Sequence, residues 1–131
     1  MIVTDPSHPA VHLGQGGERI RVRCLARRGM LHSECDAFDH VRLAAGARYE
    51  LVGRSGTEAA WYVLRGRVGL LDHTGRPQRV LHDGELLLAV DGGAVRLCGG
   101  PQGAELLCLT LTPAAVSRRL PPRRPDLTAH R

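Results

Sequence analysis

The 131-residue sequence contains no lysine and no asparagine, and its aromatic side chains number four: one Trp, two Tyr and one Phe. Without lysine there is no side-chain amine to form a Schiff base with a carbonyl substrate or with pyridoxal phosphate, so a large branch of covalent catalysis is excluded. So few aromatics leave little to stack on unpaired bases, which argues against nucleic-acid binding. No apolar run approaches the roughly 20 residues of a membrane-spanning helix. The opening Met1-Ile2-Val3-Thr4-Asp5-Pro6 lacks the basic start and apolar run of a secretion signal. A soluble cytoplasmic protein that binds neither membrane nor nucleic acid is the expectation. The four cysteines, Cys24, Cys35, Cys98 and Cys108, have no C-x-x-C spacing and are expected as buried free thiols.

The net charge of +5 is unevenly placed. Residues 1–116 hold 13 Arg against 12 acidic groups, whereas residues 117–131 hold Arg118, Arg119, Arg123, Arg124 and Arg131 against Asp126 alone. The basicity therefore belongs mainly to a Pro-rich end, Leu120-Pro121-Pro122-Arg123-Arg124-Pro125, with too little apolar surface to fold alone. A single domain over 1–116 and a solvated basic tail over 117–131 are the expected division.

What is present is a pattern of short apolar or alternating runs broken by Gly, Pro and Asp turns, with no sustained helical period. Arg19 to Leu25 alternates strictly, with Ile20, Val22 and Cys24 on one face and three arginines on the other. Further strands are expected over 38–44, 49–54, 59–64, 67–71, 78–81, 86–90, 94–98 and 106–112, with a short helix or extended piece over 113–119. So many short strands argue for an all-β sandwich or barrel.

The spacing of residues 46–66 is that of G-x5-H-x-H-x4-E-x6-G, from Gly46 to Gly66, with Val52, Arg54 and Ala59 at the three ligand positions. Residues 84–99 follow G-x5-P-x-G-x2-H-x3-N from Gly84 through Val90 and Gly92 to Gly99, with Val95 at the fourth. In these two frames, over about residues 38 to 112, the chain resembles the cupins, and it has lost every ligand of their metal. The resemblance implies a cupin double-stranded β-helix, a jelly-roll barrel, with no metal at that site and no cofactor. Dimerisation is common among resembling proteins, so a homodimer is expected.

Because the resemblance turns the ligand positions into the barrel, the positions sharing their parity are expected inside as well. The pocket would then have a floor of Val52, Ala59, Trp61 and Val95, with Glu50 and Arg54 as charged groups. A buried arginine is costly unless it meets an anion. Arg54 would either fork onto a substrate carboxylate, enolate or phenolate or pair with Glu50 or Glu58. His40 and Arg42 share one face of the strand before the motif. If that face is inward, His40 is a general acid or base and Arg42 a substrate contact; Val41 and Leu43 offer an equally good inward face. Trp61 either fills the core or stacks on a flat substrate. The string His32-Ser33-Glu34-Cys35 reads as a surface loop, a lid, or, with His40, a substitute metal site.

The leading functional expectation is a metal-independent cupin enzyme of specialised metabolism. It would isomerise, cyclise or dehydrate a small anionic or carbonyl-bearing substrate, with His40 or Glu50 moving the proton and Arg54 stabilising negative charge. The rivals are a non-catalytic small-molecule binder or sensor and a metal-dependent cupin that uses His32, His40 and Cys35. Poor proton-transfer geometry at His40 and Glu50 would favour the binder.

Overall fold

Inward-facing apolar residues at alternate positions dictate the architecture. The structure, a computed structural model, describes residues 10–13, 19–28, 30, 34–53, 56–90, 92–113 and 119, and these contain strands and turns but no helix. The expectations placed on Arg54, on His32 and on nearly all of the 117–131 tail lie outside the described residues. The strands are β1 (Ala10–Leu13), β2 (Ile20–Arg27), β3 (Cys35–Leu43), β4 (Arg48–Leu51), β5 (Glu58–Leu71), β6 (Pro77–His82), β7 (Leu86–Ala89) and β8 (Val95–Leu111).

All pairings are antiparallel, and β5 and β8 are long enough to serve two sheets. In the first sheet the order is β1-β2-β3-β8-β5-β7, using the second half of β8 and the first half of β5. In the second it is β4-β8-β5-β6, using the other halves. Two expected strand pairs are thus single strands. Gly66 and the Gly99-Gly100-Pro101 stretch lie inside β5 and β8, where they bend the chain from one sheet into the other and do not end a strand.

Gly66 has φ +88°, and a Cβ there would sit 2.3 Å from the Gly103 carbonyl oxygen. A Cβ on Gly99 would meet the Ala44 carbonyl oxygen at 2.2 Å. These glycines close the two sequence frames because neighbouring backbone leaves no room for a side chain.

The core lies between the sheets. Trp61, Leu97, Leu106, Val41, Val63 and Val68 are its fully enclosed side chains, each stabilising the fold by roughly 1.5–3 kcal/mol through burial. Because Val41 and Leu43 are buried, β3 turns His40 and Arg42 to the opposite face.

Candidate functional site

A cavity of about 570 Å3 opens between the two sheets. Its second-sheet wall includes Leu51 of β4, Leu70 of β5 and Val95 of β8, and its first-sheet wall Leu87 and Ala89 of β7. Glu50, Asp72, His73, Gln78 and Arg96 form the polar rim. The volume suits a small organic ligand, and an apolar wall with a few polar groups is the usual make-up of such a site.

One guanidinium organises the rim. Arg96 Nε donates to Glu50 Oε1 at 3.1 Å, and Arg96 Nη1 donates to the His73 backbone carbonyl at 2.6 Å. β4 is thereby tied to the β5–β6 turn across the cavity edge. The turn is braced from within, since Asp72 Oδ1 accepts from the backbone N–H groups of Thr74 at 2.8 Å and Arg76 at 3.0 Å. The Thr74 hydroxyl hydrogen bond, with help from these N–H groups, holds the Asp72 carboxyl below its ordinary range.

The expected pocket needs correction at several residues. Glu50 and Val52 do not project into the barrel: Tyr49 and Leu51 do, because β4 pairs Tyr49 with Leu97 and Leu51 with Val95, both core positions. Val52 is 78% exposed at the cavity mouth, and Glu50 faces its partner Arg96. Of the other floor residues, Val95 lines the cavity, whereas Ala59 is buried with its cross-strand neighbour Ala89 forming the wall. Trp61 is completely enclosed, its ring 5.7 Å from Tyr49 at 69° in an edge-to-face contact. It fills core and has no face free for a ligand.

His40 and Arg42 stand on the far side of the first sheet with Glu105, so neither reaches this cavity. Cys35 is buried and His40 stands on the outer face, and His32, the third residue of the expected substitute metal site, lies outside the described residues. Among the described residues no three His, Cys, Asp or Glu side chains are grouped to hold a metal ion. The fold family's usual metal does not fit: Val52, Ala59 and Val95 carry no donor atom, so no chemistry is routed through such an ion.

Spacing alone did not reveal the polar groups inside the barrel. The register aligns Cys24, Asp39, Cys108 and Trp61 across β2, β3, β8 and β5 on the inner face. Arg27 reaches Asp39 in an ion pair. Burial pushes the Asp39 carboxyl up, with the Arg27 guanidinium pulling against it. Burial likewise lifts the Cys108 thiol and the Tyr49 phenol to about 12 each. The Trp61 indole N–H, buried among them, has no hydrogen-bond partner among the described residues. Strict alternation in β2 and β3 was the available signal, because it already places Cys24 with Ile20 and Val22, and Asp39 with Val41.

No protein-family model and no curated protein matches the chain. Solved structures do. A predicted oxalate decarboxylase from Thermotoga maritima is similar with a TM-score of 0.67 at 16% identity, covering 86% of this chain and 100% of its own. The Cupin_2 domain of an XRE family transcriptional regulator from Enterobacter cloacae is similar with a TM-score of 0.63 at 15% identity, covering 73% and 99%. The HTH_3 family transcriptional regulator from Vibrio cholerae is similar with a TM-score of 0.61 at 11% identity; the match covers 72% of this chain and 52% of that one, so the chain spans about half its length. With its two-sheet, all-antiparallel barrel and these neighbours, the chain has the cupin fold, a double-stranded β-helix.

Proposed function

We propose that the protein is a small-molecule-binding cupin that holds an organic ligand in the cavity between its sheets without transforming it. The observation that carries this reading is the cavity itself: an apolar wall of Leu51, Leu70, Leu87, Ala89 and Val95 under a rim in which Glu50 is paired with Arg96. An acid–base catalyst needs a proton-transfer group aimed at the bound substrate. His40 lies on another face, Glu50 is turned to Arg96, and His73 sits at the rim in the exposed β5–β6 turn. Fold likeness to two transcriptional regulators at 11–15% identity, one of them through its Cupin_2 domain, supports a sensing role, though a fold by itself assigns none. The ligand class that fits is a mainly apolar molecule with one or two polar ends for Arg96, Gln78 and the His73 region.

Titration with 1-anilinonaphthalene-8-sulfonate, an apolar dye with one anionic end, tests the reading. Saturable binding at one site is expected, with loss in Ala94→Phe, which places a ring in the cavity from an exposed position, its melting curve serving as the check that it folds. Equal dye binding in that variant would overturn the cavity as the site. The metal-independent isomerase or cyclase reading returns if a carbonyl-bearing acid is consumed by the wild type and spared by Glu50→Gln.

A further inference from the structure

The outer face of the first sheet carries positive charge that its own groups do not balance. Alternation on β2, β3 and β8 sends Ile20, Val22, Val41, Leu43 and Leu106 to the core and turns Arg21, Arg23, His40, Arg42 and Glu105 the other way. The register sets these side by side. Arg21 is opposite Arg42, Arg42 opposite Glu105 and Glu105 opposite Arg65; one row along, Arg23 is opposite His40. Like charges directly opposite each other weaken a sheet. Among the described residues of these two rows, the four guanidinium groups of Arg21, Arg23, Arg42 and Arg65 share a single carboxylate, Glu105.

Glu105 is fully used. Its Oε1 accepts from Arg42 Nε at 3.1 Å, with Arg42 Nη2 at 3.0 Å, and from Arg65 Nη2, while its Oε2 is 3.3 Å from His40 Nε2. This carboxylate fixes Arg42 and Arg65 in place and leaves Arg42 Nη1 and Arg65 Nε and Nη1 free of those bonds. Among the described residues Arg21 and Arg23 make no ion pair, and the Nε of each is shielded from solvent without a hydrogen-bond partner there. A shielded, unpartnered donor is costly. A separate groove of about 420 Å3 opens beside Arg42 and Arg65, bordered by Gly66, Gln102, Gly103 and Glu105.

We propose that this face is a second binding site, for a compact oxyanion with two or more negative charges, seated in the groove between Arg42 and Arg65 with Arg21 and Arg23 alongside. The charge excess demands more than one negative charge. Guanidinium forks match planar carboxylate and phosphate oxygens, which an ammonium would not. The chemistry is therefore that of a phosphate-bearing or polycarboxylate small molecule.

The test is calorimetric titration of the full chain with inorganic pyrophosphate, citrate and chloride at matched ionic strength. Saturable one-site binding is expected for pyrophosphate, citrate or both, and their relative affinities assign the phosphate or carboxylate source. Arg65→Gln removes an exposed side chain and should weaken binding roughly tenfold or more; the Arg42→Gln/Arg65→Gln double variant should abolish it. The rise in Tm with pyrophosphate or citrate should vanish in these variants and persist in Ala94→Phe, which blocks only the other cavity. Melting curves without ligand confirm that each variant folds. No saturable binding on the order of 10 mM, undiminished affinity in Arg65→Gln, equal competition by chloride, or binding confined to a polymeric acid such as heparin would each overturn the proposal.

Discussion

At the scale of single residues, the inside and outside of this barrel treat charge in opposite ways. Inside, burial pushes the Cys108 thiol to about 12, and thiolate is the reactive form of cysteine. Cys108 should therefore resist iodoacetamide at about pH 8 in the folded protein and react once denatured; mass mapping of the labelled peptide checks this, and rapid native labelling would show the site open. Outside, burial works to raise the Glu105 carboxyl, but the His40 hydrogen bond and the Arg42 and Arg65 charges outweigh it and hold it below its ordinary range. The folded protein thus binds this proton less readily than the unfolded chain. The stabilisation is complete above the ordinary value and is lost as pH falls through the folded one. Glu105→Gln should lower Tm near neutrality and make progressively less difference as the pH drops into that range; an equal deficit at both ends would refute the assignment. His40 was legible as a charged-face residue only as one of two options, because Val41 and Leu43 gave the adjacent face an equal claim. Glu105 carries no motif, and only the β3–β8–β5 register brings it to His40, Arg42 and Arg65.

At the scale of elements, β4 shows how one residue of register decides a site. The sequence Arg48-Tyr49-Glu50-Leu51 alternates polar and apolar, and that alternation alone points Tyr49 and Leu51 inward. The ligand spacing pointed Glu50 and Val52 inward, and a shift of one residue exchanges the faces of a strand. Pairing with Leu97 and Val95 favours the apolar assignment, because burying a carboxylate costs far more than burying a phenol ring or a leucine. The strand positions in the middle of the chain were readable from hydrophobic pattern and glycines. The fusion of two pairs of runs into β5 and β8 was not, because a glycine at a bend and a glycine at a turn look alike in sequence. Two consequences can be measured. Gly99→Ala must displace the Ala44 carbonyl from a contact of 2.2 Å and should cost about 1–3 kcal/mol or more, read from urea unfolding. Arg96→Ala removes an exposed rim pair, so stability should change by under about 1 kcal/mol, while affinity for the anilinonaphthalene dye falls as β4 and the β5–β6 turn lose their tie. A large loss of stability with unchanged dye binding would make Arg96 a structural post and not a rim residue.

At the scale of the molecule, the outer face of the first sheet is divided. Its β2–β3 side is basic. Its β5–β7 side is apolar, with Tyr62, Leu64, Leu86 and Leu88 all more than 40% exposed, and Tyr62 paired in register with Leu86. Exposed apolar side chains gathered on one sheet face favour an interface. We propose that the expected homodimer forms here, with a second copy laying the same patch on itself about a two-fold axis. The charge pattern selects this half, because two basic halves set face to face would repel, whereas the apolar half carries no such penalty. Leu88→Arg adds a charge at a position already facing solvent, so the barrel should keep its melting behaviour while the dimer dissociates. Sedimentation velocity should then show a dimer for the wild type at tens of micromolar, within reach of an interface burying roughly 1,200 Å2 or more, and a monomer for the variant. A wild-type monomer at that concentration, or an unaltered dimer in Leu88→Arg, would remove this face from the assembly.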